Sequence, residues 1–291
     1  MSPGRIIRTT LVAAAALFVG SSPAQDKKPA AAAEMPSMEY EVEKHADLAY
    51  RTDAEADATR HKLDLYVPVG RKDFPVLVYI HGGGWKSGTK NLYVGLGRAF
   101  ARHGIGVAVI NYRLSPKVKH PAHAEDVAKA FAWVHANVGK YGGDSAAIAL
   151  MGHSAGGHLA ALLATDPAYL KAEKLEPSHI HGVISVSGVY RVDPNAELYI
   201  PAFGTDVEAC KKASPMTYIS TKHPPFLIAY AENDYETFDR MAIDFHAALE
   251  KAQTPATLLK LMHRNHISEI VSVLSDEDPL NVAVRRFVLG K

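Results

Sequence analysis

From about Met38 onward, short apolar runs alternate with longer amphipathic stretches, and this alternation constrains the fold more than any other feature. The runs Val76 to Ile80, Val107 to Ile110, Ile148 to Met151, Val183 to Val186, Phe226 to Tyr230 and Thr257 to Met262 suit strands buried on both faces. Between and after them, Asn91 to Arg102, Ala124 to Val138, Ala155 to Ala164, Phe238 to Ala252 and Asn281 to Leu289 read as helices. In the second of these, Val127, Phe131 and Val134 share one face. Two earlier runs, Val42 to Tyr50 and Lys62 to Val67, read as strands, and the period-two alternation of the latter predicts a half-exposed edge hairpin. Strands alternating with helices predict an α/β fold: a mostly parallel, twisted sheet of about eight strands with helices on both faces. Ligands of such sheets sit beyond the carboxyl ends of the strands. The residues that follow each strand therefore carry the functional information.

The segment before the alternation looks different. Arg5 and Arg8, the apolar run Leu11 to Val19 and the small residues Ser22-Pro23-Ala24 form the pattern of a cleavable signal peptide over residues 1–24, cut near Ala24. That predicts a secreted or periplasmic protein. The apolar run is shorter than the roughly 20 residues of a membrane helix, so no stable membrane anchor is expected. Residues 25–37 are rich in Ala, Pro and Lys and read as a disordered linker, leaving 38–291 as one folded domain. Lys and Arg total 32 against 31 Asp and Glu, so there is no electrostatic footprint for nucleic acid. Cys210 is the only cysteine and cannot make an internal disulfide. The oligomeric state is not legible.

After the Ile148 run comes Gly152-His153-Ser154-Ala155-Gly156, a G-x-S-x-G motif between a strand and a helix. A nucleophilic serine needs a tight turn that lifts its hydroxyl clear of the sheet, and bulkier residues at 152 and 156 would collide with strand and helix. After the Val76 run comes His81-Gly82-Gly83-Gly84-Trp85. The N–H groups of Gly83 and Gly84 are unshielded by side chains and, with that of Ala155, form a candidate oxyanion hole. A serine also needs a base, and the base a carboxylate, in the chain order Ser, acid, His. Glu232-Asn233-Asp234 follows the Phe226 run, and His263-Arg264-Asn265-His266 follows the Thr257 run. Asp234 and His266 are the candidates, with Glu232 and His263 as rivals. His120/His123 and His263/His266 have a spacing of three, but no further ligand cluster supports a metal site. Arg113 reads as a loop-fixing residue.

Taken together, His81-Gly82-Gly83-Gly84-Trp85, Asn111-Tyr112-Arg113-Leu114, Tyr141-Gly142-Gly143-Asp144, Gly152-His153-Ser154-Ala155-Gly156-Gly157-His158, Glu232-Asn233-Asp234 and Arg264-Asn265-His266 resemble the esterase/lipase branch of the α/β hydrolases. Within it, the chain is most similar to bacterial feruloyl-esterase-like and kynurenine-formamidase-like carboxylesterases. The resemblance covers about Lys62 to Leu289. It implies the α/β-hydrolase fold, Ser154, Asp234 and His266 as a catalytic triad, the oxyanion loop at Gly83, Gly84 and Ala155, and no metal or organic cofactor. It also implies a small-molecule ester as substrate, with an aryl formamide or other amide as the alternative. A catalytically silent binding module on the same fold is the remaining reading, against which the intact set of Ser, acid, His and glycine loop speaks. Met262-His263 stands where relatives often show Pro-Gly. There is no large cap, so an open site for small or aromatic esters is expected. The insert over residues 188–224 carries Tyr190 and Phe203, which with Trp85 are candidate substrate contacts. Whether that insert acts as a lid is not legible.

Overall fold

The computed structural model describes residues 39–220 and 223–290. The expected signal peptide (1–24) and linker (25–37) lie outside the described residues. Eight strands form one sheet: β1 (Val42–Ala49), β2 (Lys62–Pro68), β3 (Phe74–Ile80), β4 (Gly106–Ile110), β5 (Gly143–His153), β6 (Gly182–Val186), β7 (Phe226–Asn233) and β8 (Ala256–Asn265). Their spatial order is β1-β2-β4-β3-β5-β6-β7-β8. β2 pairs antiparallel with β1 and β4, and every later pairing is parallel. The chain moves outward from β3 to β4, then crosses back to lay β5 on the other side of β3. A crevice opens where the winding reverses, between the carboxyl ends of β3 and β5.

Both faces of the sheet are buried, as the continuous apolar runs require. Along β3, Phe74, Val76, Val78 and Ile80 enter one core, and Leu77 and Tyr79 enter the other. The first core is covered by α2 (Ala122–Asn137), α3 (Ala155–Thr165) and α7 (Phe238–Lys251), through residues such as Phe131, Leu159 and Phe245. The opposite core is covered by α1 (Val94–Ala101) and α9 (Pro279–Leu289), through Leu96, Phe100, Leu280 and Val284. Four shorter helices fall outside the sequence expectation: α4 (Pro167–Ala172), α5 (Ile200–Phe203), α6 (Val207–Lys212) and α8 (Ser268–Ser272). Each spans less than two turns, too little for a helical period to stand out. Among the described residues, no helix is long and apolar enough to cross a membrane.

One strand expectation needs correction. β2 is not an exposed edge; β1 takes the edge, and β2 is buried from Leu63 to Pro68. Its alternation arises because Asp64 is polar, and Asp64 is buried with two cations. Lys90 Nζ lies 2.6 Å from Asp64 Oδ1, and Lys44 Nζ lies 2.8 Å from Oδ2. Burial raises the Asp64 pKa, but the two ammonium groups overcome that and hold it below the usual carboxylate range.

Candidate active site

The parallel register brings the motifs together. Ile80, the last residue of β3, pairs with Gly152 of β5, so the glycine loop and the serine turn leave the sheet side by side. Ser154 has φ 56° and ψ −120°, a conformation that non-glycine residues rarely occupy and that costs about 1–3 kcal/mol. It is held there by its N–H, which donates to Val186 O at 2.8 Å. The turn tolerates only glycine on both sides. A Cβ at Gly156 would lie 2.0 Å from Ile80 O, and one at Gly152 would lie 2.1 Å from Gly156 O.

The glycine loop packs directly on this turn: a Cβ at Gly82 would lie 3.2 Å from Ser154 Cβ. Gly83 and Gly84 have φ 114° and 58°, and Gly83 O accepts from the N–H groups of Lys86 and Ser87. Among the described residues, the N–H groups of Gly83, Gly84 and Ala155 find no acceptor in the protein. The loop is braced from below. Burial holds His81 neutral, with a pKa of about 4, and its Nδ1–H donates to Gly82 O at 2.7 Å. Tyr112 donates to His81 O and stacks on its ring. His158, neutral through burial at about 3, donates from Nε2 to Ala213 O, so its Nδ1 accepts the indole N–H of Trp85 at 3.2 Å.

β7 and β8 deliver the acid and the imidazole. His266 Nδ1 donates to Asp234 Oδ1 at 2.7 Å. The other Asp234 oxygen accepts from Ser187 Oγ at 2.5 Å, and Oδ1 also accepts the N–H of Tyr235. Burial works against the charge on Asp234, but these donors, His266 first, hold its pKa below the usual range. His266 is buried between Tyr235, Phe238 and His153. His153, neutral through burial at about 4, donates from Nε2 to His266 O at 2.8 Å and fixes that backbone. The rivals sit elsewhere. The His263 side chain is 88% exposed, and Glu232 is turned to Lys260 and the His263 N–H.

Ser154 and His266 line one cavity of about 710 Å³ together with Gly82, Gly83 and Gly84. That volume lies in the usual range of small-molecule sites, roughly 300–1,000 Å³. Among the described residues, no hydrogen bond joins Ser154 Oγ to the imidazole, and both residues line the cavity. Trp85 also borders it, although its indole is buried against His158 and Phe203. Tyr190 and Phe203 do not reach the cavity. Tyr190 is fully buried, stacked on Phe245 at 4.1 Å with its hydroxyl on Ser185, and Phe203 packs edge-on to Trp85. Aromatic residues in an insert serve the core as readily as a ligand. The insert gives the cavity Val189 and Leu198 instead. Arg113 lies outside it, forked onto Asp126.

Sequence reasoning missed Ser187 and Glu269. Ser187 directly follows β6, and its place past a strand end was the available signal. Glu269 follows His266 by three residues and is completely buried, with Oε1 at 3.2 Å from His153 Nε2 and 4.0 Å from His266 Nδ1. Burial first, and the Asp234 charge after it, push its carboxyl up to about 8, while Ser187 and His266 act in the opposite direction. His153, His266 and Glu269 are the group of possible metal ligands found among the described residues. Their nitrogens are already directed at a backbone carbonyl and at Asp234, which disfavours coordination.

The BD-FAE family model matches residues 63–249. This chain belongs to the BD-FAE family. Among curated proteins, esterase LipC of Mycobacterium tuberculosis is 35% identical over 183 residues, covering 56% of this chain and 45% of its own length. The chain spans less than half the length of the mycobacterial relatives it matches. Kynurenine formamidase of Danio rerio is 28% identical over 245 residues, covering 81% of this chain and 80% of its own. Esterase B of Lactobacillus rhamnosis shares the fold, with a TM-score of 0.71 and 23% identity over 87% of this chain and 88% of that one.

Proposed function

We propose that this chain is a serine carboxylesterase that hydrolyses small carboxylic esters through an acyl-enzyme, with Ser154 as nucleophile, His266 as base and Asp234 as its orienting acid. The observation that carries this reading is the 2.7 Å hydrogen bond from His266 Nδ1 to Asp234, in the cavity that Ser154 lines. With its proton committed at Nδ1, a neutral imidazole has a bare Nε2 for the Ser154 hydroxyl. Rotation of that hydroxyl toward Nε2 when substrate binds completes the relay. Oγ attacks the ester carbonyl, and the oxyanion takes the N–H groups of Gly83, Gly84 and Ala155. The alkoxide leaves with the proton from Nε2. Water then repeats the sequence on the acyl-enzyme and restores Ser154. The test is Ser154→Ala against short nitrophenyl esters. Folded protein without turnover supports the reading, and unchanged turnover removes it.

An aryl formamide is the second reading, favoured by the match, over 81% of this chain and 80% of the relative, to a protein named kynurenine formamidase. Parallel rates on formylkynurenine and on acetyl and feruloyl esters separate the two. Export belongs to the same proposal, on the strength of Arg5, Arg8 and the apolar run Leu11 to Val19. Cell fractionation with N-terminal sequencing of the mature protein tests it.

A further inference from the structure

The walls of the Ser154 cavity change character along their length. Its basic side chains are Lys86, His153 and His266, in or beside the reacting segments. The wall built by α1, α8 and their flanks is Leu92, Leu96, Ile270, Val271 and Leu274, with the Tyr93 hydroxyl as its single polar side-chain group. Leu96 and Ile270 are seated in the core behind it, so this wall is anchored. Leu92, Val271 and Leu274 are 72%, 59% and 44% exposed. Six of the ten exposed large hydrophobic side chains among the described residues line this one cavity: these three with Leu198, Tyr235 and Ile267. Exposed apolar side chains gathered in one place mark a binding surface.

The two sides of the trough approach each other where a Cβ on Gly95 would lie 3.3 Å from Leu274 Cδ2. Gly95 and Leu274 also border a second cavity of about 450 Å³, but Glu39, Arg98 and Arg102 are among its walls, so the apolar trough ends at this contact. A sugar pushed against this wall would surrender several water hydrogen bonds with only Tyr93 in exchange. A methylene chain surrenders none.

We propose that the α1/α8 trough is the subsite for an unbranched aliphatic chain on one arm of the substrate ester, so that chains of medium length are preferred over acetate and over aromatic or sugar-bearing arms. This rests on the esterase reading above and names its substrate class. The experiment measures kcat/KM for nitrophenyl acetate through decanoate, for ethyl through octyl acetates, and for methyl ferulate. A rise of about fourfold per methylene in one series, the ~0.8 kcal/mol of a buried CH₂, is expected up to the trough's length. Gly95→Leu, which also favours the helix, should lower the octanoate-to-acetate ratio about tenfold or more by filling room for two methylenes. If the chain is on the alcohol arm, the octyl-to-ethyl ratio falls instead. Leu274→Ala should move the optimum to a longer chain. Acetate turnover with both series flat or falling, methyl ferulate outrunning every aliphatic ester, or ratios untouched by Gly95→Leu overturns the proposal. Loss of all ester turnover would instead overturn the esterase reading itself.

Discussion

Glu269→Gln should stabilise this protein, and by more as the pH rises. Glu269 is completely buried, and neither of its oxygens completes a hydrogen bond. The nearby Ser187 hydroxyl donates to Asp234, and His153, neutral through burial, brings no compensating charge. The carboxyl is therefore held at about 8 in the folded protein against an ordinary 4.5. A raised value means that the folded state binds the proton more tightly than the unfolded chain does. Its contribution is complete below about pH 4.5 and is lost as the pH climbs to about 8. Each pH unit in that window removes ~1.4 kcal/mol, which reaches about 3 kcal/mol at pH 7 and about 4 kcal/mol at pH 8, where the folded group is half titrated. Glutamine has the shape of the neutral acid and does not titrate. Urea unfolding of both proteins from pH 4 to 9 measures the difference, in which the other titrating groups largely cancel. The curves should coincide near pH 4 and part steadily above pH 5, with the variant the more stable. Curves that stay parallel, or a variant that is weaker at pH 8, would refute the assignment of a neutral buried acid.

Ser187→Ala removes a donor to the Asp234 carboxylate. A hydrogen bond to a charge is worth ~1.5–3 kcal/mol, so kcat on a short ester should fall about 10- to 100-fold with KM little changed, measured by steady-state kinetics. Gly156→Ala drives a methyl to 2.0 Å from Ile80 O and should give little soluble folded protein, judged by circular dichroism and yield. Asp64→Ala leaves the buried Lys90 without its closest partner and should destabilise by about 3–5 kcal/mol in chemical denaturation. Asp234, whose folded value is lowered, contributes stability above its unfolded value that is lost as the pH falls through the folded one. Asp234→Asn should flatten the acid limb of the stability profile.

Periodicity and chain order are local, and that is why so much was legible from residues alone. The apolar runs located the parallel strands because a strand buried on both faces has no polar residue to hide. Three strands were followed at once by a Ser, an acid cluster and a His cluster, which marked the crevice before any coordinates. What could not be read was which members of a cluster meet. Glu232 and Asp234 are two residues apart and His263 and His266 three, and only the local course of the backbone at each strand end decides which of each pair turns to the site. The bulge of register between Ala231 and Asn233 sends Glu232 to the surface and leaves Asp234 facing His266. Tyr190 and Phe203 mislead in the other direction: their place in an insert says nothing about whether the ring finds a ligand or the core. Ser187, Glu269 and the apolar wall from Leu92 to Leu274 are brought to the site only by long-range packing. By itself the sequence determined the alternating elements and the chemistry available at their ends, because both depend on neighbours along the chain. The partners of each charge and the shape of the cavity belong to the tertiary structure alone, since they depend on distances between segments that no local pattern encodes.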